Sequence, residues 1–167
     1  MSMATPATGE QLPSGQAAEM VEVLQAATRV LAGVALRSLD VLDGAVSLPQ
    51  FRVLAVLADL GRSRSVQVAD ALGLDASTVT RLADRLVAAG HVLRGSDPGN
   101  RTVVTLELTD SGRNLVVQVV NWRRRELTRI LGQLTPAGRD ELTVWLRRLI
   151  EAAGDGYGTV RQGPLPL

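Results

Sequence analysis

The apolar positions over residues 66–108 change period, and each change marks an element. Val66, Ala69 and Leu72 fall on one face of a short helix. Gly73 can take the positive φ that ends it. From Ala76 the apolar set is Val79, Leu82, Ala83 and Leu86, a three-and-four spacing that predicts a second helix with one face on a core. Asp75 stands where an N-cap is wanted, its carboxylate accepting from free backbone N–H groups and favoured by the helix dipole. Ser77, Thr80, Arg81, Asp84 and Arg85 occupy the opposite face, and Gly90 punctuates the end. The period then drops to two. Val104, Leu106 and Leu108 alternate with Val103, Thr105 and Glu107, which predicts a half-buried strand over 102–108. Residues 92–95 are its expected partner, and Asp97-Pro98-Gly99-Asn100 suits a type II turn that leaves Arg101 at a protruding tip. Helix, turn, helix and hairpin in that order predict a winged helix-turn-helix, a module that docks a helix in the DNA major groove.

Longer helical patterns flank this module. From Gln16 to about Leu42 the residues Met20, Val23, Leu24, Ala27, Val30, Leu31 and Val34 form one stripe. Ser47 and Gln50 make a capping box with Pro49 tolerated in the first turn, and the helix runs to about Asp59 through Phe51, Leu54 and Leu57. Residues 61–65 are a linker or a short edge strand. The chain then repeats itself: Leu108-Thr109-Asp110-Ser111-Gly112-Arg113 matches Leu134-Thr135-Pro136-Ala137-Gly138-Arg139 as L-T-x-x-G-R. Each Thr is an expected N-cap, with helices to about Gly132 and about Ala153. The second carries Leu142, Trp145, Leu146, Leu149 and Ile150 on one side. The expected fold class is mainly α with a small β-hairpin, a winged helix-turn-helix core flanked by dimerisation helices. Its parts are a disordered tail over 1–15, a dimerisation helix over 16–46, the DNA-binding domain over 47–108, dimerisation helices over 109–153 and a Gly/Pro-containing flexible tail over 154–167. The terminal stripes exceed what a small core can cover, and a symmetric dimer is the commonest closed solution.

Composition narrows the function. At 46% hydrophobic over 167 residues the chain can bury a core. It has no cysteine, which excludes disulfides, thiolate metal sites and cysteine redox sensing. All 18 basic residues are arginine, a mark of coding bias more than of anion binding, and without lysine there is no phosphate-binding loop of the Gly-Lys-Ser/Thr kind. The single histidine has no marked serine partner in the sequence, so no nucleophile–base pair is expected. No enzyme activity, cofactor or metal is expected. No apolar run is long enough to span a bilayer, and the N-terminal residues lack a charged segment followed by an apolar one, so the expected location is the cytoplasm, away from membranes. The net charge of +1 is uninformative, and over 62–108 six arginines face five acids, so DNA affinity must come from where the arginines point. With aromatics at 2%, base-stacking platforms for single strands are not expected.

The sequence resembles the MarR-type (multiple-antibiotic-resistance regulator) family. The residues that carry the resemblance are LPQFRVLAVL, VADALGLDASTVTRLADRLVAAG, the wing D-P-x-x-R and the following V-x-L-x-L-T-x-x-G-R, within about Ala18 to Ala153. The resemblance implies a homodimeric transcription regulator on a pseudo-palindromic operator in double-stranded DNA, a repressor relieved by a small aromatic or anionic effector. Family wings often carry Asp-Arg-Arg where this chain has Asn100-Arg101-Thr102, which implies a weaker wing contribution. The lack of cysteine excludes the family's peroxide-sensing branch.

The expected DNA-contacting residues are Ser77, Thr78, Thr80, Arg81, Arg85, Arg94, Asp97 and Arg101. Arg81 and Arg85, one turn apart, repel mildly unless a polyanion lies between them; the bland alternative is a solvated face screened by Asp84. Ser77, Thr78 and Thr80 lie near the helix start, where base edges are read, or serve only solubility. Arg101 suits a narrow minor groove with Asp97 holding its direction, against a surface ion pair worth little. His91 is expected to favour the preceding helix end, and Arg123-Arg124-Arg125 to be solvated or paired with the first helix. Trp122 and Trp145 read as core or dimer-interface residues. By family geometry, an effector pocket would draw on Leu39, Phe51, Leu54 and Leu115, with Arg37 or Arg52 as its charge. The competing class is a helical dimeric protein–protein interaction module with a vestigial winged helix, against which Arg81 and Arg85 argue.

Overall fold

The computed structural model describes residues 14–97 and 99–154, with the side chains of Ser14, Asp97, Asn100, Arg101 and Thr102 outside that description. The expected terminal tails, apart from their innermost residues, and the expected type II turn through Pro98 lie outside the described residues. The chain divides into two compact units, one ending at Gly33 and one starting at Val34. No helix among the described residues is long and apolar enough to cross a membrane.

Helix α1 spans Ser14–Arg37, five residues short of the expected end. Its C-terminal end has a tertiary partner: Arg123 donates to the Ser38 hydroxyl at 2.7 Å and to the Ala35 carbonyl at 3.4 Å. A 3-10 turn, Asp40–Leu42, follows, and Asp43 enters the left-handed region at φ 47°. Helix α2 (Leu48–Leu60) starts as expected, with Pro49 in its first turn and Gln50 Oε1 accepting from the Ser47 N–H at 2.8 Å. Strand β1 (Ser63–Arg64) resolves the linker-or-strand alternative in favour of an edge strand. Helices α3 (Ser65–Leu72) and α4 (Ala76–Ala88) form the helix-turn-helix. Strands β2 (Val92–Asp97) and β3 (Asn100–Leu108) form the hairpin, and the antiparallel sheet has the order β1-β3-β2.

Helices α5 (Asp110–Leu131) and α6 (Pro136–Ala153) begin at the two L-T-x-x-G-R repeats. Both threonines cap as expected: Thr109 Oγ1 accepts from the Gly112 N–H at 3.0 Å and Thr135 Oγ1 from the Gly138 N–H at 3.1 Å. The glycines differ. A Cβ on Gly112 would sit 2.1 Å from the His91 carbonyl oxygen, whereas one on Gly138 would meet only Thr135 Oγ1 at 3.2 Å. The first repeat is therefore a junction between the hairpin and α5, and the second is a cap alone.

One core holds the second unit together. Phe51, Val53, Leu54, Val68, Val79, Ala83, Leu86, Leu106 and Val119 are wholly buried and belong to a single cluster drawn from α2, α3, α4, β3 and α5. Burying a side chain of this size stabilises by about 1.5–3 kcal/mol before entropy is counted. Two expected faces are corrected. On α3 the buried set is Val68, Ala69 and Leu72, while Val66 is 58% exposed. On β3 Leu106 and Leu108 are buried as expected, but Val104 is exposed and Thr105 is buried. Thr105 lies on the opposite side of β3 from Leu106, where the exposed Arg62 covers it: Arg62 Nε donates to Thr105 Oγ1 at 3.1 Å.

Candidate nucleic-acid interface

The recognition segment is set by its turn. Gly73 is left-handed at φ 63°, the Leu74 N–H returns to the Ala69 carbonyl at 3.0 Å, and the Gly73 N–H donates to the Asp70 carbonyl at 3.2 Å. That pair of bonds closes α3 by satisfying the Ala69 and Asp70 carbonyls and turns the chain toward α4. Asp75 is the N-cap by position, and its backbone carbonyl accepts from Thr78 and Val79. Its carboxylate, however, makes no cap hydrogen bond, which corrects the expected role of that side chain.

Helix α4 buries Val79, Ala83 and Leu86 and half-buries Leu82, so its other face is turned outward by simple helical geometry. Ser77, Thr78, Thr80, Arg81, Asp84 and Arg85 are all exposed. The Thr80 hydroxyl donates to the Ala76 carbonyl at 2.8 Å, so it meets any partner as an acceptor. Asp84 does not screen Arg81 and Arg85. It pairs instead with Arg94 of β2 at 2.6 Å. Arg81 and Arg85 form no ion pair among the described residues. The acid on the outward face is thus turned toward the wing, and the two arginines remain as an uncompensated cationic pair one turn apart.

Arg94 is brought to this face, but as a strut between α4 and β2. Asp97 and Arg101 lie on the strands at the wing tip, and their expected contact falls outside the described residues. The hairpin is regular from Val92↔Leu108 to Ser96↔Val104, and the register shifts before Asp97↔Asn100. His91 stands at the end of α4 as expected, its N–H donating to the Leu86 carbonyl at 2.9 Å, and it also gains a serine neighbour that its sequence position did not mark. Its Nδ1 lies 2.9 Å from Ser111 Oγ, at the start of α5, and its backbone carbonyl accepts from Thr109. Of the three consecutive arginines, Arg123 reaches the end of α1 through hydrogen bonds and stacks 5.5 Å from the Phe51 ring, with burial lowering its pKa. Arg124 and Arg125 are exposed.

The residues expected around an effector fill space in the single chain. Phe51 and Leu54 are wholly buried, and Leu39 and Leu115 pack against the same cluster. Arg52 sends one guanidinium nitrogen to the Leu72 carbonyl at 3.3 Å, while its Nε is buried without a partner. Arg37 is exposed at the end of α1. An open cavity of about 270 Å³ lies elsewhere, lined by Leu57, Leu108, Val116 and Val117 with Arg62 and Arg113.

Sequence reasoning missed Arg62 and Gly112. A glycine inside a strand, Gly95, was the available signal for Arg62, since such a residue often marks close approach of another group. Nothing local signals that Gly112 faces a carbonyl from 21 residues earlier in the chain.

Two short helices at a tight turn, an outward arginine pair and a hairpin against the second helix define a winged helix-turn-helix. Residues 46–101 match the model of the MarR family. The structure resembles RV1404 from Mycobacterium tuberculosis at 34% identity and TM-score 0.78, covering 89% of this chain and 99% of that one. It also resembles BpsR from Bordetella bronchiseptica, whose DNA binding is regulated by 6-hydroxynicotinic acid, at 27% identity and TM-score 0.55, covering 87% and 97%. By sequence the chain is 31% identical over 103 residues to the HTH-type transcriptional repressor NicR of Pseudomonas putida, covering 62% of this chain and 65% of that relative. The chain therefore spans just under two thirds of the length of this curated relative. It belongs to the MarR family, whose curated relatives are named as transcription regulators and not as enzymes.

Proposed function

We propose that this chain is a homodimeric, sequence-specific DNA-binding transcription regulator, a repressor released from a pseudo-palindromic operator by a small aromatic or anionic effector. The observation that carries the DNA reading is the outward face of α4. Its one acid is committed to Arg94, and Arg81 and Arg85 are left for a polyanion. In this reading α4 enters the major groove with Ser77, Thr78 and Thr80 toward base edges and the arginines on bases or phosphates. Arg101, with Asp97 orienting it, follows the flanking minor groove.

The dimer reading is supported by apolar surface that the single chain leaves open. Met20, Val23, Leu24, Val30 and Leu31 of α1 are exposed, and so are Trp145, Leu146, Leu149 and Ile150 of α6. Two-fold symmetry places two recognition helices about one DNA turn apart, roughly 10 bp. The repressor and effector readings are supported by the relatives: NicR is named a repressor, and BpsR answers to an aromatic anion.

Selection from random duplex DNA followed by gel shift tests the proposal. The wild type should enrich a two-fold-related site. Arg81→Ala should bind it about 1–3 kcal/mol more weakly and with relaxed preference at one position of each half-site. A wild type that enriches no sequence would refute the specific-regulator reading.

A further inference from the structure

Arg62 leaves the linker between α2 and β1 and runs across one face of the sheet. Its Nε donates to Thr105 Oγ1 on β3 at 3.1 Å, and its Nη2 donates to the Ser96 carbonyl on β2. Gly95 lies beneath it. A Cβ on Gly95 would stand 3.1 Å from Arg62 Nη2 and 3.2 Å from Thr105 Oγ1, so the missing side chain is what opens the passage. The place of the grip is informative. Ser96 pairs with Val104 on the last regular rung, and the next pair is Asp97 with Asn100, which leaves residues 101–103 over on β3. Arg62 therefore holds both strands where the regular wing ends and the tip begins.

We infer that Arg62 is the positioning residue of the wing, fixing the angle at which the tip meets the DNA flank. The inference rests on the DNA-binding reading above. The planar fork of arginine can address two acceptors on neighbouring strands at once, which fixes the strands' relative twist. A lysine ammonium on a flexible stem cannot reproduce that geometry. Without Arg62 the Thr105 hydroxyl, which is buried, loses its donor, and the rung that orients the tip loses its tie to the linker.

The test compares wild type, Arg62→Ala, Arg62→Lys, Arg101→Ala and the double variant Arg62→Ala/Arg101→Ala on the selected operator. Affinity and hydroxyl-radical footprints are the readouts, with circular dichroism confirming that each variant is folded. Both Arg62 variants should keep the protection produced by α4, lose protection of the flanking minor groove and bind about tenfold more weakly. The double variant should bind no more weakly than Arg101→Ala, because the same wing contact is removed only once. Arg62→Lys with wild-type affinity and footprint would overturn the inference, since it would make Arg62 a plain positive charge. So would a double variant weaker than Arg101→Ala by the full factor seen for Arg62→Ala. If the wild type selects no operator, the DNA reading fails separately, and hydrogen exchange still decides on Arg62. Faster exchange of the Ser96 and Val104 amides in Arg62→Ala supports the positioning role, and unchanged exchange rejects it.

Discussion

Helix α2 buries Phe51 and the five consecutive residues Val53, Leu54, Ala55, Val56 and Leu57, while α6 buries no residue and leaves Trp145 64% and Ile150 70% exposed. Both helices carry apolar positions at helical spacing, and both start at a well-formed N-terminus. The difference is in what faces them. The α2 stripe meets α3, α4, β3 and α5 within the same chain, so its pattern is satisfied locally. The α6 stripe meets solvent, and Arg148 stacks on Trp145 at 5.2 Å without covering the rest of the face. A hydrophobic stripe thus specifies that something will cover it, not whether the cover lies in the same chain. An exposed apolar face of this kind is what supports the proposed dimer interface.

Phe51→Ala breaks the satisfied side. It empties a fully buried aromatic site, removes the ring under Arg123 and should cost about 3–5 kcal/mol in urea unfolding. A cost below about 1 kcal/mol would mean that the core closes over the gap without α2.

Ile150→Asp breaks the other side. In an isolated chain it changes an exposed position and should leave the fold intact. In a dimer it places a charge in an apolar seam and should weaken association by about a hundredfold, or about 2.7 kcal/mol. Sedimentation equilibrium across a micromolar range reads the shift. An unchanged molecular mass, monomer before and after, would remove the interface from α6.

The paired repeats sharpen the comparison, because they share the Leu, Thr, Gly and Arg positions and set the glycine in different surroundings. Gly112→Ala should cost about 1–3 kcal/mol, since its Cβ would enter the space of the His91 carbonyl and the β2–α5 junction must move. Gly138→Ala meets only a threonine hydroxyl, and it should be neutral or stabilise α6 by about 0.5–1 kcal/mol. Thermal melts of the two variants side by side decide this, and equal shifts would contradict the assigned contact.

What was legible in the sequence divides along the same line. The elements, the Gly73 turn, the two Thr caps and the buried face of α4 follow from local chemistry, and the structure contains them. The end of α1 and the surroundings of Thr105 depend on groups distant in the chain. Arg123 takes up the end of α1 some 85 residues earlier, so the helix stops at Arg37 despite an apolar pattern that continues. Arg62 lies over the outer face of the sheet and covers Thr105, so β3 buries a residue on each side, while the expected alternation holds at Leu106 and Leu108 and fails only at Val104. At the candidate site, the outward set on α4 was readable from helical spacing. The commitment of Asp84 to Arg94 was not, because the two are joined only when the wing folds back on α4.

That ion pair carries the smallest expected effect, and its sign is the informative part. Asp84 and Arg94 are substantially exposed, with side-chain accessibilities of 54% and 40%, so Asp84→Ala should change folding stability by less than about 1 kcal/mol. On DNA the same change should strengthen binding. It removes the only acid on the exposed face of α4 and releases the Arg94 guanidinium beside Arg81 and Arg85. A released arginine that reaches a phosphate adds one displaced counterion, which steepens the salt dependence by about 0.9 in log–log slope. Affinity should therefore rise a fewfold at low salt, and the gain should shrink as salt is raised. Arg94→Ala should not show the gain, because it frees Asp84 instead and leaves an unpaired acid facing the phosphates. Titrations of both variants at several salt concentrations separate the cases. If Asp84→Ala weakens binding with an unchanged slope, the pair orients α4 against the wing, and its geometry matters more to recognition than its charge.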